Sequence, residues 1–139
     1  MNREMAEIIR NQNPLTLAPS ATVQQACKHM HERKVGAVLV TNPKNELLGI
    51  FTGRDAVRVL AEGKPAATTH LRQVMTKNPD HLPPRHTAIH ALRLMRDGGF
   101  RHVPVVHEGV VVGIVSRGDF RGLEQDRLDE ETGIWEHMR

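Results

Sequence analysis

The chain has 139 residues, of which 39% are hydrophobic and 25% charged, and its formal net charge is +3. This length suits one compact domain or two small halves that share a core, because either half alone would bury too little apolar surface. The basic residues form no run interleaved with aromatic side chains, which disfavours a nucleic-acid partner. One cysteine excludes an internal disulfide, and no apolar stretch is as long as a signal peptide or a membrane span. These features predict a cytoplasmic protein without a membrane partner.

The chain contains two copies of one unit. A shift of 65 positions aligns Asn13-Pro14 with Asn78-Pro79, Leu17 with Leu82, Pro19 with Pro84, Thr22 with Thr87, Ala26 with Ala91, Met30 with Met95 and Val40 with Val105. After a one-residue deletion the shift becomes 64 and aligns Gly49-Ile50 with Gly113-Ile114, Thr52 with Ser116 and Asp55 with Asp119. Two copies of this length predict a pseudo-symmetric pair rather than a solenoid.

Both copies are predicted to fold as β-α-β-β-α units, which gives an α/β (α+β) fold class. In the first copy we predict a strand at 15–17, a helix with Val23, Ala26, Cys27 and Met30 on its apolar side, strands at 35–40 and 47–52, and a helix over 55–61. In the second copy we predict a strand at 81–82, a helix with Ala88, Ala91, Leu92 and Met95 on its apolar side, strands at 102–106 and 110–116, and a helix from Asp119 that carries Phe120 and Leu123. A threonine near the start of each first helix could cap it.

The predicted organisation comprises an N-terminal helix in 1–12, a first repeat over 13–62, a linker over 63–77, a second repeat over 78–123 and a C-terminal helical tail over 124–139. Glycine, proline and small residues indicate the linker, which ends in a short helical turn at 71–75. Apolar residues in the tail predict that it packs on the module or on a second chain: Leu128, Ile134, Trp135 and Met138.

One motif occurs in both copies where a strand runs into a helix: a hydroxyl side chain followed three residues later by aspartate, in Thr52-Gly53-Arg54-Asp55 and Ser116-Arg117-Gly118-Asp119. A hydroxyl beside unpaired N–H groups at a helix start suits a phosphate, and the carboxylate suits the two hydroxyls of a ribose. The same spacing is also that of a capping box, which needs no ligand. The short aspartate in place of Glu or Gln, and the nearby arginines at 54, 101 and 117, favour the ligand interpretation.

With these motifs the sequence resembles a tandem pair of CBS (cystathionine-β-synthase type) domains, also called a Bateman module, over about residues 8–123. The resemblance rests on the Asn-Pro and Leu-Thr-Leu segments, on residues 34–40 and 100–106, and on both Gly-Ile-x-(Thr/Ser)-x-x-Asp motifs. It implies two repeats packed with pseudo-two-fold symmetry that hold AMP, ADP, ATP, NAD or an S-adenosyl compound between them. It implies no catalytic cofactor.

The resemblance also assigns roles to individual residues. It implies that Asp55 and Asp119 bind ribose, that Thr52 and Ser116 meet the ribose-phosphate region, that Arg101 and His102 bind phosphate beside Arg54 and Arg117, and that Thr16, Gly36, Ala37 and Pro104 border the base. Copy one has Gly36-Ala37 where copy two has Arg101-His102, so we expect the two clefts to bind phosphate unequally.

The predicted function is a non-catalytic regulatory module that senses energy or redox state by binding an adenosine nucleotide. A homodimer is expected, and the sequence does not identify the protein that it would regulate. The alternative is a structural dimerisation module with vestigial clefts, in which both hydroxyl-to-aspartate motifs are only caps. An enzyme is not expected, because no nucleophile is paired with a base and the sequence contains no P-loop or metal triad.

The histidines weighed as metal ligands and the single cysteine are predicted to have no metal-binding or catalytic role. His86 and His90 have the spacing that places two imidazoles on one helix face, but no third ligand accompanies them. They are therefore predicted to be solvated, as are His29 and His31. Cys27 is predicted to be a small core residue.

Overall fold

The computed structural model describes residues 3–120. The helices are α1 (Met5–Ile8), α2 (Val23–Arg33), α3 (Gly53–Ala61), α4 (Leu71–Val74) and α5 (Ala88–Gly98). The strands are β1 (Thr16–Leu17), β2 (Ala37–Thr41), β3 (Leu47–Thr52), β4 (Thr76–Lys77), β5 (His102–His107) and β6 (Val110–Ser116), and a 3-10 helix follows at Arg117–Asp119. The predictions for Leu123 and for the tail over 124–139 lie outside the described residues.

The two repeats form separate sheets. The first has the order β1-β2-β3-β4, with β1 parallel to β2 and the other pairs antiparallel. The second is the antiparallel hairpin β5-β6. Its predicted first strand is reduced to one parallel bridge between Leu82 and Val105. The β-α-β-β-α pattern is therefore complete in strands only in the first repeat.

Helix α2 shows how local sequence sets the elements. The Gln25 N–H donates to Thr22 Oγ1 at 3.2 Å, and the Thr22 N–H donates to Gln25 Oε1 at 2.9 Å, which confirms the predicted cap. The helix ends at Lys34, which adopts a left-handed conformation with φ of 57°. Its predicted apolar side is buried at Val23, Ala26 and Met30.

The core has three parts. Each repeat encloses its own apolar cluster, around Phe51 in the first and around Leu92 in the second. A third cluster lies at the seam between the sheets and includes Leu39, Ile50 and Val111. All five residues of β2 are buried, because this strand has its own helices on one face and the second repeat on the other. In either repeat alone, the apolar residues of this seam would be exposed to water.

The segment that precedes each repeat packs on the other repeat. Met5 of α1 is buried in the second core, and its N–H donates to the His86 carbonyl at 2.7 Å. Leu71 and Val74 of α4, within the segment predicted as a linker, are buried in the first core. Within residues 3–120 no helix is long and apolar enough to cross a membrane.

Candidate functional site

An open cleft of about 600 Å³ lies between the two repeats. Its walls are the start of α3, the segment that begins at β4, and the turn from α5 to β5. The lining consists of Gly36, Ile50, Thr76 and residues 52–55, 78–80 and 98–102. This volume is typical of a site for a small molecule.

The first hydroxyl-to-aspartate motif forms a complete cap at the edge of this cleft. The Asp55 N–H donates to Thr52 Oγ1 at 3.3 Å, and the Thr52 N–H donates to Asp55 Oδ2 at 2.9 Å. Arg58 Nη2 lies 3.2 Å from Asp55 Oδ1 and also donates to the Val74 carbonyl. The argument that aspartate disfavours a cap is therefore wrong, because its shorter side chain still reaches the N-cap N–H.

The second motif forms the same cap. The Ser116 N–H donates to Asp119 Oδ2 at 2.7 Å, and Ser116 Oγ donates to the same oxygen at 3.2 Å. Ser116, Arg117 and Asp119 do not line the 600 Å³ cleft. The two motifs share a local structure and differ in what lies in front of them.

A side chain covers the β6 edge beside the second motif. Gln12 Nε2 donates to the Ile114 carbonyl at 2.8 Å, and the Ile114 N–H donates to Gln12 Oε1 at 3.0 Å. Next to it, a Cβ on Gly113 would lie 2.6 Å from Ile9, so Ile9 packs directly on the strand. In the first repeat the equivalent edge is covered by backbone, because β4 pairs with Gly49 and Ile50 of β3.

Cationic and imidazole side chains come together on the far wall of the cleft. Arg54 crosses it from the first repeat and donates from Nη1 to the Gly99 carbonyl at 3.4 Å. Arg101 lines the same wall and is exposed. His102 follows it, half-buried, at a point where a Cβ on Gly36 would come 3.3 Å from its Nε2. Burial, and then the positive charge of Arg101, lower the pKa of His102, while Asp119 opposes this shift.

Comparison with known families decides the fold. The family model described as CBS domain matches residues 5–62 and again residues 71–125. The chain belongs to the CBS domain family. Its α+β architecture is therefore that of a CBS pair, as the resemblance predicted.

Relatives of this CBS pair include larger proteins and stand-alone structures. The CBS domain-containing protein CBSCBSPB2 of Arabidopsis thaliana is 42% identical over 108 residues, which are 77% of this chain and 20% of that protein. The chain thus spans about a fifth of the length of the curated relatives that it matches first. The CBS-domain containing protein ATU1752 from Agrobacterium tumefaciens is 33% identical with a TM-score of 0.76, over 84% of this chain and 94% of that one. The CBS domain protein PAE2072 from Pyrobaculum aerophilum, solved in complex with AMP, has a TM-score of 0.82 at 23% identity, over 91% of this chain and 98% of that one.

The predicted base-bordering residues of the CBS pair are dispersed. Gly36 lines the cleft, but Thr16, Ala37 and Pro104 do not. Thr16 pairs with Leu39 in the sheet, Ala37 is buried at the seam, and Pro104 is buried in β5. All three residues lie in strands, as predicted, but Ala37 and Pro104 are in the protein interior and Thr16 is half-buried on the edge strand β1.

The cleft of the CBS pair also contains residues that sequence reasoning did not assign to it. These are Ile50, Gly53, Thr76, Asn78, Pro79, Asp80, Gly98, Gly99 and Phe100. The repeated Asn-Pro dipeptide was the available signal, since Asn78-Pro79 begins the second copy directly after β4. Asn78-Pro79 lies on the cleft wall because β4, which precedes it, pairs with β3 of the first repeat.

The histidines and the cysteine were assigned no site. Helix α5 begins at Ala88, so His86 precedes it, and the rings of His86 and His90 are 5.2 Å apart. His90 is exposed, which confirms its prediction. For His86 the prediction of a solvated imidazole is wrong, because its Nδ1 is buried and has no hydrogen-bond partner within residues 3–120. Across residues 3–120 no group of three or more His, Cys, Asp or Glu side chains could hold a metal ion. His29 and His31 are exposed, which confirms their prediction. Cys27 is half-buried against the first core, and burial raises the pKa of its thiol.

Proposed function

We propose that this CBS pair is a non-catalytic regulatory module that binds one adenosine-containing nucleotide in the 600 Å³ cleft. The observation that carries the proposal is the joint presence of Asp55, Arg54, Arg101 and His102 on the walls of one open cleft. A protein of the same fold has been solved in complex with AMP. Catalysis is not part of the proposal.

Each part of the nucleotide has a suitable partner in the cleft. The phosphate is assigned to Arg101 and Arg54, whose guanidinium groups can donate two parallel hydrogen bonds. The ribose is assigned to Asp55, where its hydroxyls must compete with Arg58 for Oδ1. Ile50 and Phe100 supply apolar surface for the base. Thr52 and Gly36 border the space between these groups.

The residues beside the second cap are proposed to have a lesser role. Ser116, Arg117 and Asp119 do not line the open cleft, and Gln12 and Ile9 cover the strand edge next to them. Thr16, Ala37 and Pro104 are proposed to support the cleft walls rather than to touch the base. One ligand per chain follows from this arrangement.

Regulation would follow from the position of the cleft. The proposed ligand touches both repeats, so it binds most tightly to one arrangement of the repeats and favours that arrangement. A partner that distinguishes the arrangements would sense the nucleotide and, through it, energy or redox state. Self-association is proposed through α3, where Val57 is 66% and Leu60 81% exposed. The cytoplasmic location stays a prediction.

Isothermal titration calorimetry on the full chain tests the site, with AMP as the ligand. Asp55→Ala should weaken AMP binding by at least about tenfold, since a hydrogen bond to a charged group contributes on that order. Asp119→Ala is the matched control, because it also removes a capping carboxylate and should cost a similar ~1 kcal/mol of stability. It should change AMP affinity by less than about threefold.

Two results would contradict the proposal. One is an equal loss of affinity in both variants, which would remove the assignment to the first cleft. The other is the absence of a binding signal with AMP, ADP, ATP, NAD and S-adenosylmethionine, which would favour the structural dimerisation module with two simple caps.

A further inference from the structure

The charges at the cleft are nearly balanced. Arg54 and Arg101 are its lining cations, and Asp55 and Asp80 are its lining carboxylates. His102 adds little positive charge near neutral pH, because burial lowers its pKa. Even when Arg58, which pairs with Asp55, is counted, the cations exceed the carboxylates by only one charge, which is much less than the negative charge of a triphosphate.

Asp55 and Asp80 differ in how they are neutralised. Asp55 has an ion pair with Arg58 at 3.2 Å and is capped by the Thr52 N–H. Asp80 makes no hydrogen bond or ion pair with any residue in the range 3–120 and is exposed. Its negative charge is therefore not neutralised by a direct partner as that of Asp55 is.

The backbone holds Asp80 in place at the cleft wall. The preceding Pro79 is buried, and its carbonyl lies 3.1 Å from His81 Nδ1. Before it, the Asn78 N–H donates to the Leu48 carbonyl of β3 at 3.3 Å. The hydrogen bond ties this segment to the first repeat, and the buried proline packs it, so the backbone that carries Asp80 is held at the cleft wall.

Resting on the proposed function, we infer that the cleft selects adenosine ligands of low charge, such as AMP, over ADP and ATP, and that Asp80 is the specificity-determining residue. A phosphate monoester carries about −1.5 to −2 at neutral pH, which the two arginines can match. Each further phosphate adds negative charge to a cleft whose lining also includes the carboxylate of Asp80. In a partly enclosed cleft such repulsion is screened less than in bulk water.

Calorimetry on the full chain with adenosine, AMP and ATP, without magnesium, tests this inference. The wild type should bind AMP at least about tenfold more tightly than ATP. Asp80→Asn should reduce this ratio by about three- to tenfold, mainly through tighter ATP binding. Glu62→Gln removes the same charge outside the cleft, where Glu62 pairs with Lys64 at 3.7 Å, and should leave the ratio unchanged. Higher salt should shrink the wild-type ratio.

The outcomes separate this inference from the function on which it rests. If ATP binds the wild type as tightly as AMP does, or if Asp80→Asn changes the ratio no more than Glu62→Gln, the selection by charge is wrong and the nucleotide site stands. If none of the three compounds binds, and ADP, NAD and S-adenosylmethionine also give no signal, the nucleotide site is wrong and the selection by charge is wrong with it.

Discussion

Asp55 and Asp119 close the same capping turn, yet Asp55 lies on the wall of an open cleft and Asp119 does not. The difference lies in the segment that covers the strand in front of each turn. Backbone of β4 covers β3 and leaves the cleft open above it, whereas the Gln12 side chain and Ile9 cover β6. A repeated motif therefore sets its own local geometry, and a distant segment decides whether a ligand can approach it.

Each covering segment precedes one repeat and packs on the other. Helix α1 precedes the first repeat and packs on the second, while α4 precedes the second repeat and packs on the first. The exchange ties the repeats together more firmly than the seam alone. Substitutions at equivalent positions of β3 and β6 test whether their edges are covered differently.

The largest expected effect is at the glycines that face these segments. A Cβ on Gly49 would lie 2.8 Å from the Thr76 backbone oxygen, whereas a Cβ on Gly113 would lie 2.6 Å from Ile9 Cγ2 and 2.7 Å from Ile9 Cβ. Gly49→Ala should therefore cost about 3 kcal/mol, because Thr76 is held in a paired strand. Gly113→Ala should cost less, about 1–2 kcal/mol, because the segment that carries Ile9 follows a helix of four residues and is not paired in the sheet. Urea unfolding measures both, and equal losses would show that the two edges are covered in the same way.

A smaller effect is expected when the side-chain cover is removed. Gln12→Ala leaves the Ile114 N–H and carbonyl without their partner and should lower the free energy of unfolding by about 1–2 kcal/mol. Gln24→Ala, at an exposed position of α2, is the control and should change it by less than about 0.5 kcal/mol. A variant as stable as this control would mean that Gln12 does not hold the second edge closed.

The smallest effect concerns His102, whose counterpart in the first repeat is the buried Ala37. Burial lowers the pKa of His102 in the folded state below the ordinary 6.5. Below pH 6.5 the unfolded chain then binds more protons, so stability is lost as the pH falls through the lowered pKa. Between pH 6.5 and pH 5, His102→Gln should lose less stability than the wild type. Above pH 6.5, the difference in stability between the two proteins should not change with pH. Thermal unfolding at each pH measures both.

The exposed His29 provides the control for this titration. His29→Gln is the matched variant, because it replaces an exposed imidazole on α2 by the same amide side chain. Parallel curves for wild type and His102→Gln would contradict the lowering of the His102 pKa by burial.

Much of the fold could be predicted because its signals are local. The strands β3 and β6 occur at the predicted residues, and α2 begins after its predicted threonine cap. The prediction of the first strand of the second copy was only partly right, because its residues form a single bridge. Strand pairing depends on the neighbouring strand and not only on β-propensity. The prediction that His86 is solvated was wrong, because the burial of its Nδ1 depends on tertiary packing and not on sequence spacing.

The sequence by itself determined the duplication, the order of the elements in each copy and the two capping turns, because these depend on spacing and on contacts over a few residues. Only the tertiary structure decided which turn faces an open cleft. Gln12 and Ile114 are 102 positions apart, and Asp80 reaches the cleft only because β4 joins the sheet of the first repeat. Hydrophobic periodicity does not encode contacts over such separations, so the accessible site could be found only once the chain was folded.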